Sequence, residues 1–488
     1  MHTFDRLLAG QNDIRGHSMR RDFSKVVDHA KFGRFQACVL VLCFVIVMID
    51  GYDLVVMGVA LPTIISEMQM DPGVAGIIAS CALIGMMFGA IFMGTLADRV
   101  GRVATIVACV SVFSVFTAAT GMARDPGSFA ALRLIAGLGL GGVIPCITAT
   151  MADYSPTRLR GRLTTVMLSG YPLGGVLAAL LGKHFIHAFG WQYVFFVASS
   201  SLLLIPVILK LMPESPVILH KRGNNETLRR LMRSIDRSQH VSNADEMYVP
   251  LPVHHARIPV ASLFSESRSI STLMLWTGYF SGLFMLYGLN SWLPKLMSQA
   301  GFSLGAALTF LMLMNFGSIV GSFLGGWLSD RFGLKRVLTI MLLCGAVAIA
   351  IAAQQPPAQL LSMVIFVVGM TASGAQGVAN AYVAQFYPAG IRATGIGMAL
   401  GVGRIGGITA PIVIGLLISR HLPVQQVFYV IAAFGILQAV ATLLVDDRVA
   451  DFAASRPART GLASTLPTHP VADETDDLSP SDRQHSAS

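Results

Sequence analysis

Runs of about 20 consecutive apolar residues, the length needed to cross a hydrocarbon core, recur along the chain. They lie near residues 37–61, 73–96, 103–122, 127–151, 163–186 and 190–212, and resume near 272–294, 305–328, 336–354, 359–385, 393–419 and 424–446. The pattern predicts twelve transmembrane helices, six in each half, and so an all-α integral membrane protein. It also divides the chain: a polar segment over 1–35, a six-helix bundle over 36–212, a linker over 213–271, a second bundle over 272–447 and a tail over 448–488. Within the linker, Asn225 to Ile235 has the spacing of a short amphipathic helix, and the remainder is expected to be irregular. The tail is rich in Ser, Pro, Thr and acids, cannot build a core, and is expected to be disordered.

Basic residues collect in alternate loops. Arg99 and Arg102 follow the second run, Arg158, Arg160 and Arg162 the fourth, Arg331, Lys335 and Arg336 the eighth, and Arg392 the tenth. The positive-inside rule therefore predicts that both termini lie in the cytoplasm. Composition agrees: of 488 residues 54% are hydrophobic and 12% charged, against about 25% charged in soluble proteins. The net charge of +9 sits in these loop clusters, which excludes a nucleic-acid surface. All six cysteines fall in apolar runs with no CxxC and no histidine at ligand spacing, so neither a metal nor another cofactor is expected. No constellation of a membrane enzyme is present, and neither linker nor tail has the pattern of a signalling module.

Charge inside the apolar runs is the informative exception. Asp50 and Asp53 stand three residues apart in the first run and share one side of a helix. Each would cost about 2.5–3.5 kcal/mol in lipid, so the pair is expected to face the protein interior or a water-filled path. Two carboxylates this close in a dry site cannot both stay ionised, so one can load and release a proton. Arg133 lies a few residues into the fourth run, with a pairing to Asp50 or Asp53 as its alternative to substrate binding. Arg404 sits near the middle of the eleventh, among Gly401, Gly403, Gly406 and Gly407. A guanidinium there needs a carboxylate, and its planar fork suits that of a substrate, a fixed ion pair being the other reading. Tyr52, Asn290, Trp292, Gln376, Asn380 and Tyr382 add polar and aromatic groups for a ring, although Trp292 beside Lys295 also fits an interfacial anchor.

A loop is duplicated. Gly94, Asp98, Arg99, Gly101 and Arg102 follow the second run; Gly326, Asp330, Arg331, Gly333 and Arg336 follow the eighth at the matching place. Twelve spans, a long middle loop and this repeat resemble the major facilitator superfamily over about residues 35–447. Within it the chain is similar to the aromatic acid:proton symporter family. The carrying residues are Asp50-Gly51-Tyr52-Asp53, the run from Arg133 to Gly142, Pro213-Glu214-Ser215, Tyr287 to Lys295, and Gln385 to Gly395 leading into Arg404. Val103 departs from the pattern, standing where the first loop usually carries a second basic residue. The resemblance implies a proton-coupled carrier in the cell (inner) membrane that imports a small aromatic carboxylate, benzoate or hydroxybenzoate, by alternating access. The duplicated loops would control the exchange between open states. A proton-driven exporter of organic acids or drugs is the alternative. The partners expected are the acid, protons and the bilayer, with no nucleic acid, and the chain is expected to act as a monomer.

Overall fold

The computed structural model describes residues 20–235, 246–249, 260–265, 267–388 and 390–450. Twelve helices among them are long and apolar enough to cross a membrane. Spans 1 to 6 are Arg34–Glu67, Pro72–Val100, Arg102–Thr120, Pro126–Tyr154, Arg160–Phe189 and Gln192–Leu211. Spans 7 to 12 are Ser269–Gln299, Leu304–Phe332, Leu334–Ala353, Ala358–Phe386, Arg392–Ser419 and Val424–Leu444. Every apolar run read from the sequence is a helix. Large apolar side chains left exposed, such as Ile91, Leu203, Ile340 and Met363, form the surface that hydrocarbon covers. An even number of crossings puts both ends of the bundle on one face, here the terminus side; the other is the far side.

Local chemistry sets the ends and breaks. Asp71 and Asp125 accept from backbone amides at the starts of spans 2 and 4, each followed by proline in the first turn, where no amide is needed. Span 5 is interrupted at Ser169, just before Gly170, Tyr171 and Pro172, as expected where proline removes a helix hydrogen bond. Span 10 carries a π turn over Gly369–Ser373, closed by the Gly374 amide donating to the Gly369 carbonyl.

Glycines let helix backbones touch. A Cβ on Gly85 would lie 2.1 Å from the Leu134 carbonyl oxygen, and one on Gly137 would lie 2.1 Å from that of Ala82, so spans 2 and 4 cross with no side chain between them. Spans 8 and 10 repeat the arrangement: Gly317 abuts the Phe366 carbonyl and Gly369 that of Met314. Gly85 and Gly317, and Gly137 and Gly369, stand at the same sequence offset as Asp98 and Asp330. The duplication therefore extends to the packing of each half.

The two halves meet on the far side. A Cβ on Gly76 would lie 2.4 Å from the Pro411 carbonyl oxygen and one on Gly415 2.5 Å from that of Pro72. The Ser419 hydroxyl donates to Asp71 at 2.6 Å and holds that carboxyl below its ordinary range. On the terminus side Gly94, Gly161, Gly326 and Gly401 have nothing within 4 Å of a Cβ position. A cavity of about 790 Å³ opens there, lined by Thr165 of span 5, Asp330 and Arg331 at the end of span 8, Arg336 at the start of span 9, and Tyr382 and Gln385 of span 10. The molecule is closed on the far side and open on the terminus side.

The described part of the linker is more ordered than its composition suggests, while residues 236–245, 250–259 and 266 of it lie outside the described residues. Helix Asn225–Ile235 forms as expected, but Pro216–Lys221 is helical too, and strand β1 (Arg20–Asp22) pairs in parallel with β2 (Glu246–Tyr248). Phe23, Val27, Leu228, Met232 and Val249 bury a small core against Tyr154 at the end of span 4. Apolar residues three or four apart in a polar segment had a place to go that only the bundle's surface provides. Of the tail, residues 451–488 lie outside the described residues.

The backbone contact between spans 2 and 4 makes a direct test. Gly137→Val should cost about 1–3 kcal/mol or more of stability by overpacking; Gly161→Ala, with open space around it, should cost little. Thermal unfolding of the two purified variants in detergent measures the difference.

Candidate functional site

The two acids of span 1 have different fates. Asp53 is fully buried and faces Arg133 of span 4, whose Nη1 lies 3.3 and 3.2 Å from the two carboxylate oxygens; Nη2 donates to the Asp53 backbone carbonyl at 3.2 Å. Arg133 is 1% exposed and lies over the Phe195 ring. This pair is internal to the first half. Asp50 is equally buried, yet neither of its oxygens has a hydrogen-bond partner among the described residues. The cation whose field reaches it is Arg404, from the second half.

Among the described residues Arg404 makes one hydrogen bond, from Nη1 to the Met86 carbonyl of span 2 at 3.0 Å, and its remaining donors have no partner there. Tyr171 of span 5 and Tyr287 of span 7 lie together beside Asp50, and Tyr287 beside Arg404 as well. Bare backbone brings these groups into one place: a Cβ on Gly51 would meet the Tyr171 carbonyl oxygen at 2.1 Å, and one on Gly407 would meet the Tyr287 ring at 2.6 Å. Five helices from both halves thus converge on one carboxylate without a hydrogen-bond partner and one guanidinium with donors to spare among the described residues. Such a site can bind an anion and a proton.

The structure places the other sequence candidates apart from this centre. Tyr52 is buried with its hydroxyl donating to the Val194 carbonyl at 2.7 Å. Trp292 is fully buried, its indole N–H given to the Pro411 carbonyl at 3.0 Å, so it is neither an interfacial anchor nor open to a ligand. Tyr382 donates to Asp447 at 2.6 Å at the terminus-side end of span 10. Gln376 and Asn380 occupy the terminus-side half of span 10, where Asn380 accepts from Tyr279 at 2.7 Å and from Gln376 at 3.4 Å. Asn290 lies one turn from Tyr287, with its amide engaged by Leu286 and Asn315. Asn315 was missed by sequence reading, although an amide alone in the apolar run of span 8 was signal enough.

The duplicated loops differ in their surroundings. In the first, the Arg102 guanidinium pairs with Asp153 of span 4 and its amide donates to Glu214 at 2.7 Å, while Gly101 takes φ +116° directly under that carboxylate. In the second, Gly333 takes φ +91° with open space around it, and Asp330, Arg331 and Arg336 face the cavity. Asp98, Arg99 and Gly94 lie at the terminus-side end of span 2, Asp98 and Arg99 exposed. Among the described residues no group of His, Cys, Asp and Glu could hold a metal ion.

Removing one partner of a buried ion pair strands the other. Arg133→Ala should therefore destabilise the protein by about 3–5 kcal/mol, and adding Asp53→Asn should recover much of the loss. Thermal melts of the single and double variants provide the check.

Comparison with known proteins places this arrangement. The profile of the Major Facilitator Superfamily matches residues 43–321 and 311–472. The chain is 38% identical to the benzoate transport protein of Acinetobacter baylyi, over 87% of this chain and 92% of that one. It is 34% identical to the gentisate transporter of Corynebacterium glutamicum, over 84% and 87%, and 34% identical to the 4-hydroxybenzoate transporter of Pseudomonas aeruginosa, over 87% and 96%. Its fold resembles that of the partially occluded, inward-open xylose transporter of Escherichia coli, with a TM-score of 0.65 at 16% identity over 84% and 97% of the two chains. It resembles equally the inward-facing bacterial homologue of the lysosomal transporter Spinster, with a TM-score of 0.63 at 18% identity over 88% and 100%. With its duplicated six-helix halves and a polar centre between them, the chain belongs to the major facilitator superfamily, in its aromatic acid transporter family.

Proposed function

We propose that the protein imports a small aromatic carboxylate of the benzoate or hydroxybenzoate class together with a proton, by alternating access across the cytoplasmic (inner) membrane. The observation that carries this reading is the Asp50 carboxylate, buried with neither oxygen hydrogen-bonded among the described residues and within the field of Arg404 from the other half. The names of the relatives support the substrate class, and the loop charges support cytoplasmic termini. On that orientation the terminus side is the cytoplasm, and the conformation described above is open inward.

Coupling follows from two carboxylates competing for one guanidinium. With the site empty, ionised Asp50 is balanced by Arg404. When the substrate's carboxylate takes the Arg404 fork, Asp50 loses its counter-charge and must be protonated, because an unpaired buried charge costs several kcal/mol. Acid and proton therefore enter and leave together. The halves then rock about the far-side contacts of Gly76, Pro411 and Gly415. The loops carrying Asp98 and Asp330 lie where the halves separate on the cytoplasmic side, and we assign them the control of that exchange.

Asp50→Asn cannot titrate. It should still exchange labelled for unlabelled acid in proteoliposomes yet fail to accumulate it against its gradient when a pH difference is imposed; accumulation equal to the parent's would sink the proton assignment. The same vesicles separate import from export by the sign of the gradient that drives uptake. Arg404→Lys keeps the charge but loses the fork. It should weaken binding of the acid about tenfold or more and leave the uncharged benzamide unaffected, as calorimetry on folded protein would read.

A further inference from the structure

The two repeated loops differ in what answers their positive charge. In the first half Asp153 pairs with Arg102, while Glu214 accepts from the Arg102 amide and lies against Gly101. At the offset that relates Asp98 to Asp330, Asp153 corresponds to Gln385 and Glu214 to Asp446. Gln385 carries no charge to offer a cation. Asp446 accepts from the Arg448 amide of its own turn at 2.9 Å, and Gly333 has nothing within 4 Å of a Cβ position. Neither acid that gathers the first loop has a counterpart holding the second. Lys335 donates to the Val445 carbonyl at 2.5 Å, and neither Arg331 nor Arg336 forms an ion pair among the described residues. All three cations line the cavity of about 790 Å³, with Gln385 among them. Of the two acids there, Asp330 and Asp447, the second is engaged by Tyr382. Thr165 lines it from the first half, and Arg162 stands exposed about one turn before Thr165 on the same face of span 5. The mouth between the halves thus carries more positive than negative charge among the described residues.

A matching anion lies on this chain. Asp473, Glu474, Asp476 and Asp477 put four acids into five positions, and Asp473 follows Ala450 by 23 residues. A stretch of that length reaches roughly 75 Å when extended, and the cavity begins beside Asp447, just before Ala450. The shared backbone keeps the acids at high effective concentration next to it. We propose that the acidic run 473–477 docks in the terminus-side cavity against Arg331, Lys335 and Arg336, supplying the anion that Asp153 supplies in the first half, and that by filling the gap between the halves it holds them apart. The docked run is a brake: on the alternating-access reading of the proposed function, the halves close on the terminus side only after it leaves. The contact is between exposed charges, so salt weakens it.

Disulfide capture on the purified full-length chain tests the docking. Gly377 of span 10 lines the cavity, and a Cβ there meets only the Ser322 side chain, at 3.9 Å, so a cysteine fits. Thr475 lies inside the acidic run. With the exposed thiols of Cys38 and Cys344 removed by alanine, Gly377→Cys and Thr475→Cys should cross-link within one molecule on mild oxidation. The yield should fall about tenfold or more in 1 M salt, where the Debye length is about 3 Å. It should fall likewise when Asp473→Asn, Glu474→Gln, Asp476→Asn and Asp477→Asn are combined. Gln385→Asp, which restores the acid present in the first half, should also displace the run and lower the yield. In proteoliposomes the neutralised tail should raise turnover about threefold or more with KM for the acid unchanged. No cross-link at low salt, or a yield that neither salt nor neutralisation lowers, would overturn the docking. A salt-sensitive cross-link with turnover equal to the parent's would overturn the brake. Capture is read without substrate, so failure of the proposed function leaves the docking result standing.

Discussion

Charge removed from water must be paired, hydrogen-bonded or neutralised by a proton, and at the centre of this molecule two carboxylates meet that requirement differently. Asp53 meets it permanently, through Arg133 on the same half. Among the described residues Asp50 has no hydrogen-bonding group, and the cation whose field reaches it is carried by the other half. A fixed pair inside one rigid bundle cannot report on the movement of the halves. A carboxylate whose counter-charge belongs to the opposite bundle can, and in the proposed function motion, proton and substrate would all act on the same balance.

Close backbone approach makes that balance possible. Side chains on Gly51 and Gly407 would push Tyr171 and Tyr287 away from the centre. Glycine contacts also build each half, and Gly85 and Gly137 recur as Gly317 and Gly369 in the second. The charged groups do not recur. At the same offset Asp50 and Asp53 correspond to Gly282 and Met285, Arg133 to Ile365, and Arg404 to Pro172. The frame is duplicated and the chemistry is not, so a single site lies between two similar walls.

The ends of the bundle are as unequal as the halves. On the far side, Gly76, Gly415 and the Asp71–Ser419 bond hold the halves in contact. On the terminus side, Glu214 and Asp153 gather the first loop onto its own half, while the second loop opens on the cavity. The segment around Phe23 and the linker helix pack beneath span 4 and add to the first half alone. Each half is thus internally braced where the two have separated, which lets them move as bodies.

The sequence by itself determined the twelve helices, their division into halves, the repeated loops and the candidates Asp50, Asp53, Arg133 and Arg404, because bilayer thickness and the cost of intramembrane charge act on local composition. It could not say which acid pairs with Arg133, since Asp50 and Asp53 share one helix face and differ only in what stands opposite. Nor could it show that Tyr52, Trp292 and Tyr382 spend their polar atoms on Val194, Pro411 and Asp447, partners on other spans or beyond the bundle's last helix. Hydrogen bonds between distant segments leave no periodic trace. Asn315 could be singled out from sequence, but which way its amide points was fixed only by Asn290 and the Leu311 carbonyl, because the orientation of an amide is set by its neighbours in space.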